Sequence, residues 1–246
     1  MSVRLNTAMI LAAGLGTRMR PLTNDLPKPM VKVGNTALID WVLDDLAEGG
    51  VANAVVNVHY KADLLRDHVA QRTHPKISIS DETEVLLETG GGVAAALPLI
   101  TDDVFLVTNS DALWGKGLGP ALGALRTAWS EMTAHAEIDA LVLLAKMDRA
   151  FGFDGAGDFF VDADGVPLRR GDKASAPTVY AGTQLVHRRI FENGPEGAFS
   201  FNVLWNKALK ANRLRAIIHD DDWYHVGTPE AVAPTAQALS KTGGAS

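Results

Sequence analysis

The sequence predicts an α/β protein with a mixed, mainly parallel sheet covered by helices on both faces, and a small antiparallel lobe in its second part. Continuous apolar strands alternate with helices through the first part of the chain, as in a parallel sheet buried on both sides. After Phe151 the pattern changes to a hairpin and a long strand. The 246 residues, 47% of them hydrophobic, suffice for one domain of this kind.

In the first part, short apolar runs predict strands, and apolar residues at helical spacing predict the helices between them. Leu38, Val42 and Leu46, for example, share one face of a helix that a pair of glycines ends. The predicted elements are a strand at 7–13, a large irregular loop at 14–35, a helix at 36–48, a strand at 54–58, a helix at 62–71, a strand at 77–80, a helix at 90–99, a strand at 104–108, a helix at 118–129 and a strand at 140–145.

The second part begins with two short strands around the turn Ala163-Asp164-Gly165, which is the pattern of a β-hairpin. We predict these strands at 159–162 and 166–169, a longer strand at 179–187, and helices at 201–211 and 229–239. The sequence has no internal repeat and no low-complexity linker. A single domain over 1–240 with a flexible tail at 241–246 therefore fits better than two independent domains.

Composition argues against several classes of protein. The net charge of −6 gives no basic surface for DNA or RNA, and the absence of cysteine excludes a disulfide scaffold, a zinc ribbon and a thiol nucleophile. No segment approaches the ~18 uninterrupted apolar residues that span a bilayer, and we predict no signal peptide. We therefore expect a cytoplasmic protein with neither a nucleic-acid nor a membrane partner, acting as a monomer or a homo-oligomer.

A glycine-rich loop follows the first predicted strand, at residues 11–18. Its glycines let the backbone bend sharply and direct several N–H groups at one anion, and Arg18 adds a guanidinium suited to phosphate oxygens. In open α/β sheets such loops lie at the carboxyl ends of strands, where ligands bind. Asn57 and His59 end another predicted strand at the same edge. A flexible turn without a ligand is the alternative.

Two other phosphate-binding loops do not fit this sequence. A P-loop requires Gly-Lys-Ser/Thr after four intervening residues, and the loop has none. The dinucleotide-binding fingerprint requires a third glycine where Met19 stands, followed directly by a helix, whereas prolines keep this segment irregular.

Lys28 lies between Pro27 and Pro29, which hold its charge on a stiff, extended segment. An exposed lysine is normally only solvated. Within this loop, a lysine in a fixed position is the better candidate for a phosphate ligand.

The motifs Gly-Leu-Gly-Thr-Arg at 14–18, Pro-Leu-Thr at 21–23 and Pro-Lys-Pro at 27–29 together resemble the signature of the sugar-1-phosphate nucleotidyltransferases, also called NDP-sugar pyrophosphorylases. The resemblance covers nearly the whole chain, more loosely after residue 150. It implies a Rossmann-like sheet with a nucleotide-binding part at about 1–150 and a small antiparallel sugar-binding lobe at about 151–228. It also implies that a nucleoside triphosphate and a sugar 1-phosphate give an NDP-sugar and pyrophosphate, with Mg²⁺ as cofactor.

The resemblance gives the catalytic roles to Arg18, Lys28 and Asp111. A phosphate oxygen attacks the α-phosphorus, and both reactants are anions, so catalysis depends on positioning and charge neutralisation rather than on a strong base. The segment 88–92, Glu-Thr-Gly-Gly-Gly, is expected to lie against the base. The expected nucleotide-binding residues are Leu11, Ala12, Ala13, Gly14, Gly16, Thr17, Arg18, Glu88, Gly90, Gly91 and Asn109.

Asp111 is the candidate Mg²⁺ ligand, because it follows an apolar strand and could bind the ion together with substrate phosphates. A turn aspartate is the alternative. Relatives often carry Asp-x-Gly-Thr late in the chain, whereas here His225 precedes Val-Gly-Thr. Because histidine is a poor Mg²⁺ ligand, Asp222 and His225 both stay open as the second metal residue, and His225 could instead contact phosphate or simply pack in the site.

The sugar 1-phosphate is expected to contact the antiparallel lobe. Arg169, Arg170 and Lys173 form a basic cluster near the place where relatives have a cation that binds the sugar phosphate, and the sequence does not choose between the two arginines. A solvated hairpin is the alternative. The expected sugar-phosphate-binding residues are Asp154, Arg169, Arg170, Tyr180 and Gly182, with Thr183 as a further contact.

Two features bear on the substrates. The first loop has alanine at residue 13 where many guanylyl and thymidylyl enzymes have glycine, and uridylyltransferases often carry the alanine, which favours UTP. The short chain, without a C-terminal repeat domain, most resembles the N-acetylmuramate-1-phosphate uridylyltransferases of peptidoglycan recycling. Enzymes that use GTP with mannose or heptose 1-phosphate are the alternative, and a non-catalytic nucleotide-sugar sensor or an NAD(P)-dependent oxidoreductase are alternatives of other classes.

Overall fold

The fold is seen in a computed structural model that describes residues 3–241. These residues form a nine-stranded mixed sheet and two smaller sheets, with α-helices packed around them. The strands are β1 (Thr7–Leu11), β2 (Lys32–Val33), β3 (Thr36–Ala37), β4 (Asn53–Val58), β5 (Lys76–Asp81), β6 (Val104–Asn109), β7 (Ala112–Trp114), β8 (Ala140–Lys146), β9 (Ala150–Phe151), β10 (Phe159–Val161), β11 (Pro167–Arg169), β12 (Thr178–His187), β13 (Leu214–His219) and β14 (Trp223–His225). The helices are α1 (Leu38–Glu48), α2 (Ala62–Val69), α3 (Glu88–Ala96), α4 (Gly119–Thr133), α5 (Asn202–Lys210) and α6 (Pro229–Lys241).

The main sheet is mixed and mostly parallel in the part formed by the first half of the chain, which confirms the predicted fold class. Strands β5, β4, β1 and β6 lie side by side and parallel, with β1 between β4 and β6. Strand β12 then runs antiparallel between β6 and β8, and β13 pairs parallel with β8. The predicted hairpin, β10 and β11, joins the start of β12 through the pair Phe159 and Thr178, so the antiparallel lobe is continuous with the sheet.

Strand β1 shows why the apolar runs form a sheet buried on both faces. Ala8 and Ile10 pack in the core that α1 and α4 cover, and Met9 between them packs in the second core, which α3 and α5 cover. All three side chains are fully buried. Because successive side chains of a strand alternate between faces, a continuous apolar run is what two covered faces require.

Several element boundaries differ from the predictions. The first strand ends at Leu11 rather than at residue 13, because the Ala12 N–H donates to the Asn57 side chain at 2.6 Å instead of continuing the ladder. The small sheet of β7, β14 and β9, and the strand β13, were not predicted. Lys241, expected in a flexible tail, is the last residue of α6, and the rest of that predicted tail, 242–246, lies outside the described residues.

Asp45 connects the two helices on one face of the sheet. Its Oδ2 accepts the Leu118 N–H at 2.9 Å, just before α4 begins. Gly117, at φ +72°, allows this approach, because a Cβ there would lie 2.7 Å from Asp45 Oδ1. Burial, opposed by the Leu118 hydrogen bond, raises the pKa of the Asp45 carboxyl to about 6. None of the helices in residues 3–241 is long and apolar enough to cross a bilayer.

The raised pKa of Asp45 makes stability depend on pH. Between about pH 4 and 6, the folded protein holds a proton that the unfolded chain has lost, so stability falls as the pH rises through this window and levels off above it. Asp45→Asn keeps an oxygen for the Leu118 N–H without the buried charge. We expect it to raise the free energy of unfolding by about 1–2 kcal/mol at pH 7.5, and by much less at pH 4.

Urea unfolding at the two pH values measures this difference. Asp67→Asn is the matched control, since it removes the same charge from an exposed helical position. A gain for Asp45→Asn that is equal at both pH values would contradict the assignment.

Candidate active site

A cavity of about 460 Å³ lies at the carboxyl ends of β1, β4 and β6. This is the edge of the sheet at which the sequence predicts a ligand site. Most of the predicted catalytic and nucleotide-binding residues line it, namely Leu11, Ala12, Ala13, Gly14, Gly16, Thr17, Arg18, Lys28, Glu88, Asn109 and Asp111.

The glycine-rich loop presents backbone donors to this cavity. The N–H groups of residues 13–18 make no hydrogen bond with any other residue in 3–241. The turn is held from behind, because the Gly16 carbonyl accepts the Met19 N–H at 2.9 Å and the Thr23 hydroxyl at 2.8 Å. Gly16 has φ +61°, and a Cβ there would lie 3.1 Å from Lys28 Cβ. Adjacent free N–H groups of this kind form an anion site.

Lys28 and Asp111 form an ion pair at the floor of the cavity, with both side chains mostly buried. The His225 Nε2 lies 3.6 Å from the same Asp111 oxygen. Burial alone would raise the pKa of the Asp111 carboxyl, but the Lys28 ammonium and the His225 ring outweigh it and hold this pKa well below its usual range. The carboxylate is therefore ionised at neutral pH.

The small sheet of β7, β14 and β9, which was not predicted from the sequence, brings His225 close to Asp111. Strand β14 pairs with β7, which places His225 opposite Ala112, the neighbour of Asp111. The ring stacks on Trp223, with 5.6 Å between ring centroids, so its position is fixed. Asp222, the other residue considered for a metal, does not line the cavity, because its carboxylate pairs with Arg149 at 3.2 Å.

The ion pair and the neighbouring His225 ring include one carboxylate, that of Asp111. Residues 3–241 contain no group of three His, Asp or Glu side chains that could together hold a metal ion. A single carboxylate at the edge of this cavity fits Mg²⁺, which often takes one or two carboxylates and completes its shell with substrate phosphates and water. The same site does not fit an ion that requires a cage made entirely of protein atoms.

A buried polar network, which includes the cavity-lining residue Asn57, joins the end of β1 to the start of α3. Asn57 Oδ1 accepts the Ala12 N–H at 2.6 Å, and Asn57 Nδ2 donates to Glu82 Oε1 at 2.6 Å. The other Glu82 oxygen accepts the Leu87 N–H at 3.0 Å, next to the start of α3. Gly92 makes room, because a Cβ there would lie 2.6 Å from Glu82 Oε1. The sequence analysis missed Glu82, although a carboxylate directly after a strand at this edge was a signal.

Gly90 and Gly91, which were expected to lie against the base, have a packing role in the structure. Both N–H groups donate to the Phe199 carbonyl, at 2.8 and 3.0 Å, and neither residue lines the cavity. A Cβ on Gly90 would lie 2.4 Å from the Phe199 ring, so these glycines allow α3 to pack against residues 197–199. Glu88 does line the cavity and has φ +60°, a conformation that is sparsely populated for a residue with a side chain.

A second cavity of about 340 Å³ adjoins the first, and Leu11, Thr89, Asn109 and Ser200 line both. Its other lining residues come from the antiparallel lobe and α5, namely Asp158, Phe159, Arg169, Tyr180, Gln184, Phe201, Asn202 and Trp205. Burial raises the pKa of the Tyr180 hydroxyl well above its usual value, so this hydroxyl stays protonated.

The other predicted sugar-site residues do not meet in this second cavity. The Arg170 guanidinium donates to the carbonyls of Gly157 and Lys173, at 3.0 and 2.8 Å, and so holds its own loop together. Asp154 lines a different cavity, of about 470 Å³, on the far side of Arg18. Gly182 and Thr183 lie within the sheet, where the Thr183 hydroxyl pairs with the Thr108 hydroxyl at 2.9 Å.

The chain is similar to several known proteins in sequence and in fold. A family model described as nucleotidyl transferase matches residues 7–153. The chain is 42% identical to the N-acetylmuramate alpha-1-phosphate uridylyltransferase of Caulobacter vibrioides, over 94% of this chain and 96% of that protein. It is also 42% identical to the protein of the same name from Neisseria meningitidis, over 90% and 93% of the two chains.

More distant relatives share the fold. The D-glycero-alpha-D-manno-heptose 1-phosphate guanylyltransferase of Campylobacter jejuni is 26% identical over 91% of this chain and 95% of its own. The structure of HddC from Yersinia pseudotuberculosis complexed with GMP-PN superimposes with a TM-score of 0.73 at 23% identity, over 96% and 99% of the chains. The inositol-1-phosphate CTP transferase from T. maritima gives a TM-score of 0.81 at 16% identity, over 98% of each chain.

The buried network predicts energetic coupling between Asn57 and Glu82. Asn57→Leu leaves Glu82 Oε1 and the Ala12 N–H without a partner, so we expect a loss of about 2–4 kcal/mol in the free energy of unfolding. Glu82→Leu should also destabilise. The double variant should lose about 1–2 kcal/mol less than the sum of the two single losses, as measured by urea unfolding.

Asn53→Leu, at the exposed start of the same strand, is the control and should combine additively with Glu82→Leu. Additive losses for Asn57→Leu and Glu82→Leu would show that the contact between them contributes nothing.

Proposed function

Because the chain belongs to the nucleotidyl transferase family and is a sugar-1-phosphate nucleotidyltransferase, we propose that its substrates are UTP and N-acetylmuramate 1-phosphate. The products would be UDP-N-acetylmuramate and pyrophosphate. Two relatives named for this reaction are each 42% identical over at least 90% of the chain, whereas the guanylyltransferase relative is 26% identical. The proposal places the protein in the cytoplasm, in the recycling of peptidoglycan.

One observation supports this function most directly: an unpaired run of loop N–H groups faces the same cavity as Arg18 and Lys28. A triphosphate brings several negative charges, which these donors and cations would neutralise. The adjoining cavity, lined by Tyr180 and Asp158, offers space and polar groups for a sugar, at the junction that Asn109 shares.

The proposed reaction needs no protein nucleophile. A phosphate oxygen of the sugar 1-phosphate forms a bond to the α-phosphorus, and the bond from that phosphorus to the bridging oxygen of pyrophosphate breaks. Arg18 and Lys28 would reduce the repulsion between the two anions and stabilise the charge that develops on the leaving pyrophosphate. No strong general base is required, because the attacking oxygen is already ionised.

Asp111 would hold Mg²⁺ together with phosphate oxygens and water, which is the ligand set that this ion prefers. When bound, the ion supplies positive charge to the phosphates. His225 would act as a hydrogen-bond partner that orients the Asp111 carboxylate, since an imidazole nitrogen is a poor ligand for this ion.

The charged residues of the cavity should each be needed for turnover. We expect Arg18→Gln, Lys28→Gln and Asp111→Asn each to lower kcat by about 10²–10³-fold, because each removes a charge that the transition state requires. Pyrophosphate release in the presence of Mg²⁺ measures the effect. Arg20→Gln, on the same loop but outside the cavity, is the matched control and should keep its activity. Near-normal Mg²⁺-dependent turnover by Asp111→Asn would make the metal assignment wrong.

The proposed substrates are tested by a matrix of four nucleoside triphosphates against several sugar 1-phosphates, again by pyrophosphate release. We expect the highest kcat/KM for UTP with N-acetylmuramate 1-phosphate. Faster turnover of GTP with mannose or heptose 1-phosphate would overturn the proposed substrates and favour the guanylyl activity.

A further inference from the structure

We propose that Arg169 recognises the carboxylate that the lactyl group adds to N-acetylmuramate, and so determines which sugar the second cavity accepts. This inference rests on the proposed function. It assigns Arg169 to the far end of the sugar, and not to the 1-phosphate as the sequence suggested.

The position of Arg169 separates it from the reacting phosphates. Lys28 and Asp111 line only the first cavity, and Arg169 lines only the second, while Asn109 lies at their junction. Asn109 ends β6, and β12 and β10 both lie between β6 and β11, which carries Arg169. At about 4.8 Å per strand, this spacing sets Arg169 across the sugar cavity from the phosphate site.

The Arg169 guanidinium is held in place, but part of its hydrogen-bonding capacity remains free. Its Nε donates to Asn206 Oδ1 at 3.0 Å, and the group lies over the rings of Phe159 and Trp205, 5.3 and 5.8 Å from their centroids. Its two terminal nitrogens make no hydrogen bond or ion pair with any residue in 3–241. They therefore form an open fork, which matches the two oxygens of a carboxylate.

The charged residues that line the second cavity explain why an acidic sugar would need this guanidinium. Asp158 is the other charged residue that lines the second cavity, and one of its oxygens accepts the Tyr180 N–H at 2.9 Å. An acidic sugar would add a second negative charge near Asp158, which is unfavourable unless a cation balances it. Arg169 is the only cation among the described residues that line this cavity, and its charge already acts on Asp158, so it is the one group there that could offset part of the added charge. A neutral sugar has no such requirement.

The test compares two product nucleotides that differ only in the lactyl group, UDP-N-acetylmuramate and UDP-N-acetylglucosamine. Their dissociation constants are measured by calorimetry for the wild type, Arg169→Gln and Lys173→Gln, with Mg²⁺ present. We expect Arg169→Gln to weaken binding of the lactyl-bearing nucleotide by about 10- to 100-fold, the effect of losing one charge-assisted pair, and to leave the other nucleotide unchanged. Lys173→Gln removes a charge from the same lobe outside the cavity and should change neither.

Each other result has a definite meaning. Equal weakening of both nucleotides by Arg169→Gln would overturn the proposal, because it would place the guanidinium on the shared diphosphate. Unchanged binding of both would also overturn it. Wild-type protein that binds neither nucleotide would overturn the proposed substrates, and this inference with them.

A ligand-side comparison keeps the test decisive if Arg169→Gln does not fold. The lactyl carboxylate of UDP-N-acetylmuramate is replaced by its methyl ester, which keeps the shape and removes the charge. We expect the wild type to bind the acid about 10- to 100-fold more tightly than the ester. Equal affinities would contradict the role of Arg169. Arg169→Lys, which keeps the charge and loses the fork, should retain part of the preference for the acid.

Discussion

The ion pair between Lys28 and Asp111 is the contact around which the site is organised. It joins the loop after β1 to the end of β6, two segments that the sheet places side by side. Neither charge could be buried alone without a large free-energy cost, so each residue stabilises the other's position. His225 adds a third segment from β14. The floor of the cavity is therefore built from three segments whose charged groups hold one another in place.

The wall opposite the ion pair is fixed by a different kind of contact. Asn57 and Glu82 connect the ends of three neighbouring strands and the start of α3 through hydrogen bonds that are almost entirely shielded from water. Such a network tolerates few rearrangements, because each broken bond leaves a buried group unpaired. The glycine-rich loop is therefore held at both ends, while its own N–H groups stay free for a ligand.

Much of this could be predicted from the sequence because the signals are local. Apolar runs and the hairpin pattern located the strands of the main sheet except β13, and the spacing of glycines, Arg18 and Lys28 located the loop. Contacts between distant segments could not be predicted in the same way. The glycines at 90 and 91 suggested a base-binding surface, whereas in the structure they pack against residues 197–199. The proximity of His225 to Asp111 depends on the pairing of β7 with β14. These strands are short and of mixed composition, so their sequences do not predict the pairing.

Arg169 and Arg170 are neighbours in the sequence, but only the fold shows that Arg169 lines a cavity and that Arg170 binds its own loop.

Strand β12 limits how this fold could acquire a different sugar preference. Its irregularity between Tyr180 and Gln184 contains Gly182 at φ +76°, where any Cβ would lie 3.0 Å from the Asn109 amide nitrogen. A larger residue there would press on Asn109, which lines both cavities, and would therefore alter the two cavities together. The strands β10 and β11 pair with the main sheet only at the start of β12, and their turn is held by a hydrogen bond from the Ala216 N–H to the Gly165 carbonyl at 2.8 Å. Neither contact involves the wall at Asn109. Exchange of side chains in this hairpin would therefore alter the second cavity while the loop after β1 keeps its contacts.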